Sequence, residues 1–188
     1  MKDKELRKIY RFDANENAYF LDIQLEDYRD AYSEWDYSPF VNRDLDEDLI
    51  EYILGCSYEI PHNRNMVIIF HLINQQYNAK REKRSIQGMY NYFDYRIRKI
   101  KSKRIRTFRD TIAFLVIGSI LLLLGALADQ YIQGSIIAQL LSEGLFIGGW
   151  VMIWEMFSSW FFNINQLTRK IKHFTRLQKV NIVYEYKD

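Results

Sequence analysis

The sequence predicts an α+β membrane protein, in which a two-helix transmembrane hairpin carries a helical cytosolic stalk and a small cytosolic α+β head. Residues 111–128 read TIAFLVIGSILLLLGALA without a charge, and a second apolar segment covers residues 136–162. A helix of 18 residues rises about 27 Å, close to the roughly 30 Å hydrocarbon core of a bilayer. Charge is also segregated, because residues 1–60 hold 16 of the 24 acidic side chains and residues 61–188 hold the remaining 8.

Three segments have the pattern of strands, and we assign them to the head. Residues 18–25 (AYFLDIQL) alternate apolar and polar side chains, as a half-buried strand does. Residues 66–73 (MVIIFHLI) are short, β-branched and continuous, which is typical of a strand buried on both faces. Residues 180–186 alternate again, and we expect this last strand to return to the sheet of the first two.

The remainder of the head is predicted to contain two short helices. Leu25, Tyr28, Tyr32 and Trp35 recur at helical spacing, which favours a short amphipathic helix before Pro39. Asp44 followed by Glu47 has the spacing of a capping box at the start of a second helix. The first fifteen residues are polar, and we expect no fixed structure there.

From about residue 76 the apolar spacing is helical, and we expect one helix to run unbroken into the first span as a stalk. After the second span an apolar stripe recurs at helical spacing, so the two extensions are predicted to pack antiparallel. The stripe consists of Leu167, Ile171, Phe174 and Leu177. The predicted domains are a head (1–75), a basic stalk (76–109), the first span (110–130), an external loop (131–135), the second span (136–162), and a helix with the returning strand (163–188).

The basic residues predict the orientation of the hairpin. Eight lie between Arg96 and Arg109 and five more lie between Arg169 and Lys179, whereas residues 129–135 contain none. Cytoplasmic loops carry an excess of Lys and Arg, so we place both termini in the cytoplasm and the connecting loop outside. The residues predicted to contact the anionic lipid of the inner leaflet are Lys99, Lys101, Lys103, Arg104, Arg106 and Arg109. A nucleic-acid interface is not favoured, since no stacking platform accompanies these charges.

Two carboxylates and an amide fall within the second span: Glu143, Glu155 and Gln139. A carboxylate at the bilayer centre costs about 2.5–3.5 kcal/mol, so each requires an explanation. One interpretation is a polar line along a pore or between helices of an oligomer. The other, which we favour, is that Glu155 lies near the inner surface within reach of Arg106 or Arg109 and Glu143 lies close to the outer headgroups.

Gly144 and Gly148 form a G-x-x-x-G pattern, extended by Gly149, which allows two helix backbones to approach closely. We favour packing within the chain, against the glycines Gly118 and Gly125 of the first span. The alternative is a seam between copies of a homo-oligomer.

The sequence predicts no catalytic residue, no cofactor and no metal. The only cysteine is Cys56, and the three histidines lack the spacing of metal ligands. No P-loop, dinucleotide fingerprint, nucleophile elbow or H-E-x-x-H motif is present. These observations disfavour an enzyme.

Four fragments together resemble a family of small bacterial conserved membrane proteins with two helices and no established function. The fragments are SPFVNRDLDEDLIEYI (38–53), FHL (70–72), YFDYR (92–96) and EGLFIGGWVMIWE (143–155). The resemblance covers about residues 18–186, but after the second span this chain reads FFNINQLTRKIKHF, where the relatives often have a Trp- and Pro-rich turn. The resemblance implies a bacterial protein of the inner membrane and a wider role for Glu143 and Trp150, and it supplies no activity.

Three functional hypotheses follow. In the first, the protein is not an enzyme: the head senses or binds a cytosolic ligand or protein, and the hairpin self-associates or docks a membrane partner. In the second, it is an oligomeric membrane-permeabilising effector or small channel gated by the head. In the third, it is an enzyme acting at the membrane interface.

Overall fold

The computed structural model describes residues 3–73, 75–131 and 136–187. These residues form a mostly helical chain with one small four-stranded sheet and two long apolar helices, which agrees with the predicted α+β class. The elements are α1 (Asp3–Ile9), β1 (Arg11–Asp13), β2 (Ala18–Leu25), α2 (Glu47–Glu59), β3 (Asn65–Ile73), α3 (Ala79–Tyr131), α4 (Ile136–Ser158), α5 (Asn165–Leu177) and β4 (Asn181–Lys187).

The chain divides into two compact units. Unit 1 comprises Met1–Arg98 and Lys172–Asp188, and unit 2 comprises Lys99–Ile171. Both boundaries fall inside helices, because α3 and α5 each contribute residues to both units. Of the predicted external loop (131–135), residues 132–135 lie outside the described residues.

The sheet of unit 1 has the order β1-β2-β3-β4, in which β1 is antiparallel to β2 and the other neighbours are parallel. The three predicted strands are confirmed, and the C-terminal strand pairs with the central strand β3. One face, called here the covered face, carries the buried side chains Tyr19, Leu21, Ile68, Phe70, Leu72, Ile182 and Tyr184. These residues recur at every second position because side chains alternate between the faces of a strand.

The N-terminal segment is more ordered than the sequence predicts. Residues Asp3–Ile9 form α1, and Leu6 is fully buried. The Tyr19 hydroxyl donates to Asp3 Oδ1 over 2.6 Å, and this hydrogen bond lowers the pKa of the Asp3 carboxyl. The expectation of an unfixed N-terminus is therefore wrong, because one buried leucine and one tyrosine anchor a short polar helix to the sheet.

Two helix predictions in the head need correction. Residues Tyr28–Ala31 form a single 3₁₀ turn, and Trp35 is exposed outside any helix. The N-cap of α2 is Asp46, whose side chain accepts from the Leu49 amide over 3.0 Å, and not Asp44. Asp46 prevails because it directly precedes the first helical residue, which is where a side-chain oxygen reaches the free amides.

Buried tyrosines join the start of α3 to the sheet. The Tyr32 hydroxyl donates to the Ser85 carbonyl over 2.7 Å, and the hydroxyls of Ser85 and Tyr184 lie 2.7 Å apart. Burial raises the pKa of Tyr32 to about 12, so its hydroxyl stays protonated at neutral pH. Gly88 is required beside this cluster, since an added Cβ would lie 2.5 Å from the Tyr32 hydroxyl. The cluster therefore fixes the position of α3 within unit 1.

The predicted unbroken helix from the stalk into the first apolar segment is present as α3. Within unit 1, α3 and α5 run antiparallel, as the sequence predicts. The ring centroids of Phe93 and Phe174 are 6.5 Å apart, and the Tyr90 hydroxyl donates to the Val180 carbonyl over 2.8 Å.

Unit 2 contains an antiparallel pair formed by α3 and α4. At one end the Ser142 hydroxyl donates to the Gly125 carbonyl over 3.0 Å, and at the other the hydroxyls of Thr111 and Ser159 lie 2.8 Å apart. After α4, residues Ser159–Ile164 form a π-helical segment that leads into α5. Small and hydroxylated side chains thus line the contact between the two helices.

Candidate functional site

The outer surface of unit 2 is apolar on both helices. Large side chains point away from the helix pair and are exposed: Leu115, Val116, Ile120, Leu123, Leu124, Ile137, Leu140, Ile147, Trp150, Val151, Trp154, Phe157 and Phe162. The two helices are long and apolar enough to cross a membrane, by length and composition, and only 17% of each most apolar window is buried. A helix from the core of a soluble protein would be mostly buried, and soluble monomers rarely expose a continuous apolar patch of more than a few hundred Å².

The predicted polar residues of the second span lie on α4 and are exposed. Gln139 Nε2 lies 3.4 Å from Glu143 Oε1, so these two side chains contact each other one turn apart. Glu155 has no ion pair within residues 3–73, 75–131 and 136–187, and Arg109 Nε lies 3.8 Å from Asp110 Oδ1 instead. The structure therefore brings Gln139 and Glu143 together and leaves Glu155 apart from Arg106 and Arg109.

The close approach of the two helices uses glycines other than the predicted G-x-x-x-G pair. A Cβ added to Gly144 would meet nothing within 4 Å, and one on Gly148 would lie 3.7 Å from Leu121 Cδ1. A Cβ on Gly149, by contrast, would lie 2.7 Å from Leu122 Cγ and 3.1 Å from the Gly118 carbonyl. The first-span glycines are the ones expected, but Gly118 meets Gly149 and Gly125 meets the Ser142 turn, because the helix turns Gly144 away from α3.

The predicted lipid-contacting residues follow one another along α3 just before its apolar segment. Five of them are exposed, and Arg104 is half-buried. The exposed five are Lys99, Lys101, Lys103, Arg106 and Arg109.

A histidine between two carboxylates lies on the other face of the sheet, called here the open face. His71 Nε2 is 2.8 Å from Asp22 Oδ1, and His71 Nδ1 is 3.3 Å from Glu185 Oε2. The Arg11 guanidinium lies 3.2 Å from the same Asp22 atom and stacks over the Phe20 ring at 4.6 Å. Strand alternation places all of these on one face, but the sequence alone does not predict the cluster, because it does not give the pairing of β2, β3 and β4.

The open face has an apolar centre and a charged border. Ala18, Val67 and Ile69 are buried there, with Phe20 and Val183 packed against them. The side-chain hydrogen bonds of Tyr19 to α1 and of Tyr184 and Tyr186 to α3 lie on the covered face. Next to the apolar centre lies an open depression of about 460 Å³, lined by Arg11, Asp22, Gln24, His71, Ile73, Glu185 and Lys187.

Inside unit 1, Ser57 and His173 have the side chains of a nucleophile and its base. The Ser57 hydroxyl lies 2.9 Å from His173 Nδ1, and burial lowers the pKa of His173. Ser57 is 0% exposed, however, so a substrate has no access to its oxygen. The pair therefore joins α2 to α5.

Arg176 caps the carboxyl end of α2. Its guanidinium donates to the carbonyls of Ser57, Ile60, Pro61 and Arg64 over 2.6–3.2 Å. The last four carbonyls of a helix have no intrahelical partners. A guanidinium is planar and has five N–H donors, so it can bond several carbonyls at once.

Comparison with known proteins gives no match to a protein-family model, a curated protein or a solved structure. Among the described residues, no group of three His, Cys, Asp or Glu side chains is placed to hold a metal ion. The resemblance to an uncharacterised membrane-protein family stays a prediction.

Proposed function

We propose that this chain is a non-enzymatic integral protein of the cytoplasmic membrane. In this proposal α3 and α4 cross the bilayer as a hairpin, both termini are cytoplasmic, and unit 1 binds a cytosolic protein. The observation that carries it is the exposed apolar surface of both helices in unit 2. Exposing such a surface to water is unfavourable in free energy, whereas contact with lipid chains is not.

The distribution of charge supports the orientation. The six predicted lipid-contacting residues precede the apolar part of α3, and each basic residue near an anionic leaflet contributes roughly 1 kcal/mol. Their position favours the cytoplasmic side for this end of the hairpin. An inner-leaflet contact for Lys101, Lys103 and Arg106 follows from the same argument.

Membrane integration and orientation can be tested together with single cysteines. In a Cys56→Ala background, Gln130→Cys lies at the end of α3 next to the proposed external loop, and Glu34→Cys lies in unit 1. We expect an impermeant maleimide to label Gln130→Cys in intact spheroplasts and Glu34→Cys only after lysis. Release of the chain by alkaline carbonate, or the reverse labelling pattern, would contradict the proposal.

The open face supports the binding role of unit 1, because an apolar centre with a charged border is the usual composition of a protein interface. Phe20→Glu would place a carboxylate beside the apolar centre, whereas Tyr37→Glu changes an exposed residue outside the sheet. We expect a cross-linked protein partner to be lost with Phe20→Glu and kept with Tyr37→Glu. If both variants retain every cross-linked partner of the wild type, the open face is not the surface that binds a protein partner.

A further inference from the structure

Unit 1 has a cavity at the edge of the sheet where three parallel strands begin. Ala18, Asn65 and Asn181 are the first residues of β2, β3 and β4, and all three line this cavity, which has a volume of about 360 Å³. Sites for small ligands occupy about 300–1,000 Å³. Every lining residue belongs to unit 1, so the cavity is complete within one unit and large enough for a small ligand.

Cationic side chains dominate the wall of this cavity, which is called here the basic cavity. Arg64, Arg176 and Lys179 line it, and among its described lining residues the one carboxylate is that of Glu16. Arg176 donates its hydrogen bonds to backbone carbonyls, which carry no formal charge. Neither Arg176 nor Lys179 forms an ion pair within residues 3–73, 75–131 and 136–187. The protein therefore leaves part of this positive charge unbalanced.

The third cation of the wall, Arg64, shares its carboxylate with another guanidinium. Asp3 Oδ2 lies 3.4 Å from Arg64 and 3.1 Å from Arg7. Together with the rest of the wall, these groups comprise four cations and two carboxylates, which leaves a net charge of +2. An anion with two charges would balance this set.

The pKa of the neighbouring His173 reflects the same positive charge. Burial is the main cause that lowers this pKa, and the charges of His62 and Arg176 lower it further. His62 also lines the basic cavity, and its ring centroid lies 4.9 Å from that of His173. Like charges that are held together repel one another, and a bound anion offsets that repulsion.

We propose that the basic cavity binds the phosphate group of a small soluble phosphate monoester. Such a group carries a charge of about −1.5 to −2 at pH 7, which matches the net charge of the wall, whereas a carboxylate carries only one charge. The side chain of Lys179 is exposed and has three N–H donors, so we assign it the direct contact. Arg176 contributes charge. All of these residues lie in unit 1, so the inference does not rest on the proposed membrane location.

The floor of the basic cavity is apolar and fits the organic part of such a ligand. Met66, Val67 and Val180 line the cavity and are each at most 7% exposed. Val67 and Ala18 also belong to the apolar centre of the open face. A ligand that carries a short apolar group beside its phosphate therefore contacts both the cationic wall and the floor.

A titration of the full chain in detergent tests the site, with phenyl phosphate as the probe. We expect saturable shifts of the amide signals of Asn65 and Asn181 in NMR spectra, and none at Ile73, which lies at the other end of β3. Benzoate carries the same ring with one charge, and we expect it to bind at least about tenfold more weakly. Absence of a saturable shift with phenyl phosphate, or equal affinity for benzoate, would overturn the inference.

Two charge variants of opposite expected effect locate the phosphate. Lys179→Glu should weaken binding at least about tenfold, and Glu16→Gln should tighten it about two- to fivefold because it removes the repelling carboxylate. A tighter complex cannot result from misfolding. The control is Lys187→Glu, which makes the same charge change about 20 Å away at the end of β4, with an expected change below about twofold. Equal affinities in Lys179→Glu and Lys187→Glu would contradict the assignment.

A phosphate monoester group also occurs on the lipid phosphatidic acid. The same titration with a short-chain phosphatidic acid distinguishes this source from a soluble one. We expect phenyl phosphate to saturate the Asn65 and Asn181 shifts at the lower concentration, since the basic cavity has room for a small apolar group. Saturation by the lipid at a lower concentration than by phenyl phosphate would overturn the soluble ligand.

Discussion

The two units of this protein use the same kinds of side chain in opposite ways. Phe70 in unit 1 is 0% exposed and stacks on Tyr184 with ring centroids 5.2 Å apart, whereas Phe162 in unit 2 is 73% exposed. Unit 1 turns its apolar residues toward its own core, and unit 2 turns small residues inward and large apolar residues outward. The difference teaches that apolar content alone does not define a core, because a helix can carry its large apolar residues on its contact side or on its exposed side.

The sharpest test of this contrast removes the same aromatic ring from each unit. We expect Phe70→Ala to destabilise unit 1 by about 3–5 kcal/mol, since it removes buried contacts and leaves a cavity. Phe162→Ala should leave the stability of unit 1 unchanged, because the Phe162 ring is mostly exposed and belongs to unit 2. Hydrogen exchange of the β3 amides in detergent measures both effects, and equal losses of protection in the two variants would contradict the contrast.

A second test concerns the arginines. Arg176→Lys keeps the charge but cannot satisfy the four carbonyls in and after the last turn of α2, so we expect unit 1 to lose about 1.5–3 kcal/mol. The matched control is Arg169→Lys in unit 2, where the arginine is exposed and the expected change is close to zero. Urea unfolding followed by β3 hydrogen exchange compares them. A loss of similar size with Arg169→Lys would show that Arg176 has no special role.

A third test separates the inner and outer sides of α4 within unit 2. Gly149→Ala places a methyl group 2.7 Å from Leu122 Cγ, and we expect a cost of about 1–3 kcal/mol from overpacking. Gly144→Ala meets nothing within 4 Å and should leave the helix pair intact.

The rate of disulfide formation between Thr111→Cys and Ser159→Cys, whose hydroxyls lie 2.8 Å apart, reports on this pair in the Cys56→Ala background. Slower oxidation with Gly149→Ala than with Gly144→Ala is the expected outcome. Slower oxidation with Gly144→Ala would show that Gly144, and not Gly149, lies at the contact between α4 and α3.

The regular elements of this fold could be predicted because their residues repeat with the period of the structure. Residues 18–25 alternate every second position, and they form β2 over the same bounds. The apolar run after Arg109 likewise predicts a long helix, and α3 continues through it. Periodicity is local information, which the sequence contains in full.

The features that were not predicted are those that tertiary contacts determine. The N-terminal helix is fixed by Tyr19, sixteen residues after Asp3, and the pairing of His71 with Asp22 and Glu185 depends on strand neighbours far apart in sequence. Which glycine of α4 meets α3 likewise depends on the rotation of one helix against the other. Spacing along one helix does not contain that rotation, so Gly149 could not be distinguished from Gly144 and Gly148.

The smallest expected effect is a pH dependence confined to unit 1. Burial, followed by the nearby charges of His62 and Arg176, lowers the pKa of His173 below its ordinary value of 6.5. The unfolded chain then binds the proton more tightly than the folded one, so stability is full above pH 6.5 and falls as the pH drops below it. The Nδ1 atom of this imidazole lies 2.9 Å from the Ser57 hydroxyl, so the titrating ring is part of the contact between α2 and α5. We expect urea midpoints of unit 1 to decline between pH 7 and 5 in the wild type and in His71→Gln, which lies on the open face, but to stay level in His173→Gln. An unchanged decline in His173→Gln would assign the acid sensitivity to other groups, and the contact between α2 and α5 would then not depend on a neutral imidazole.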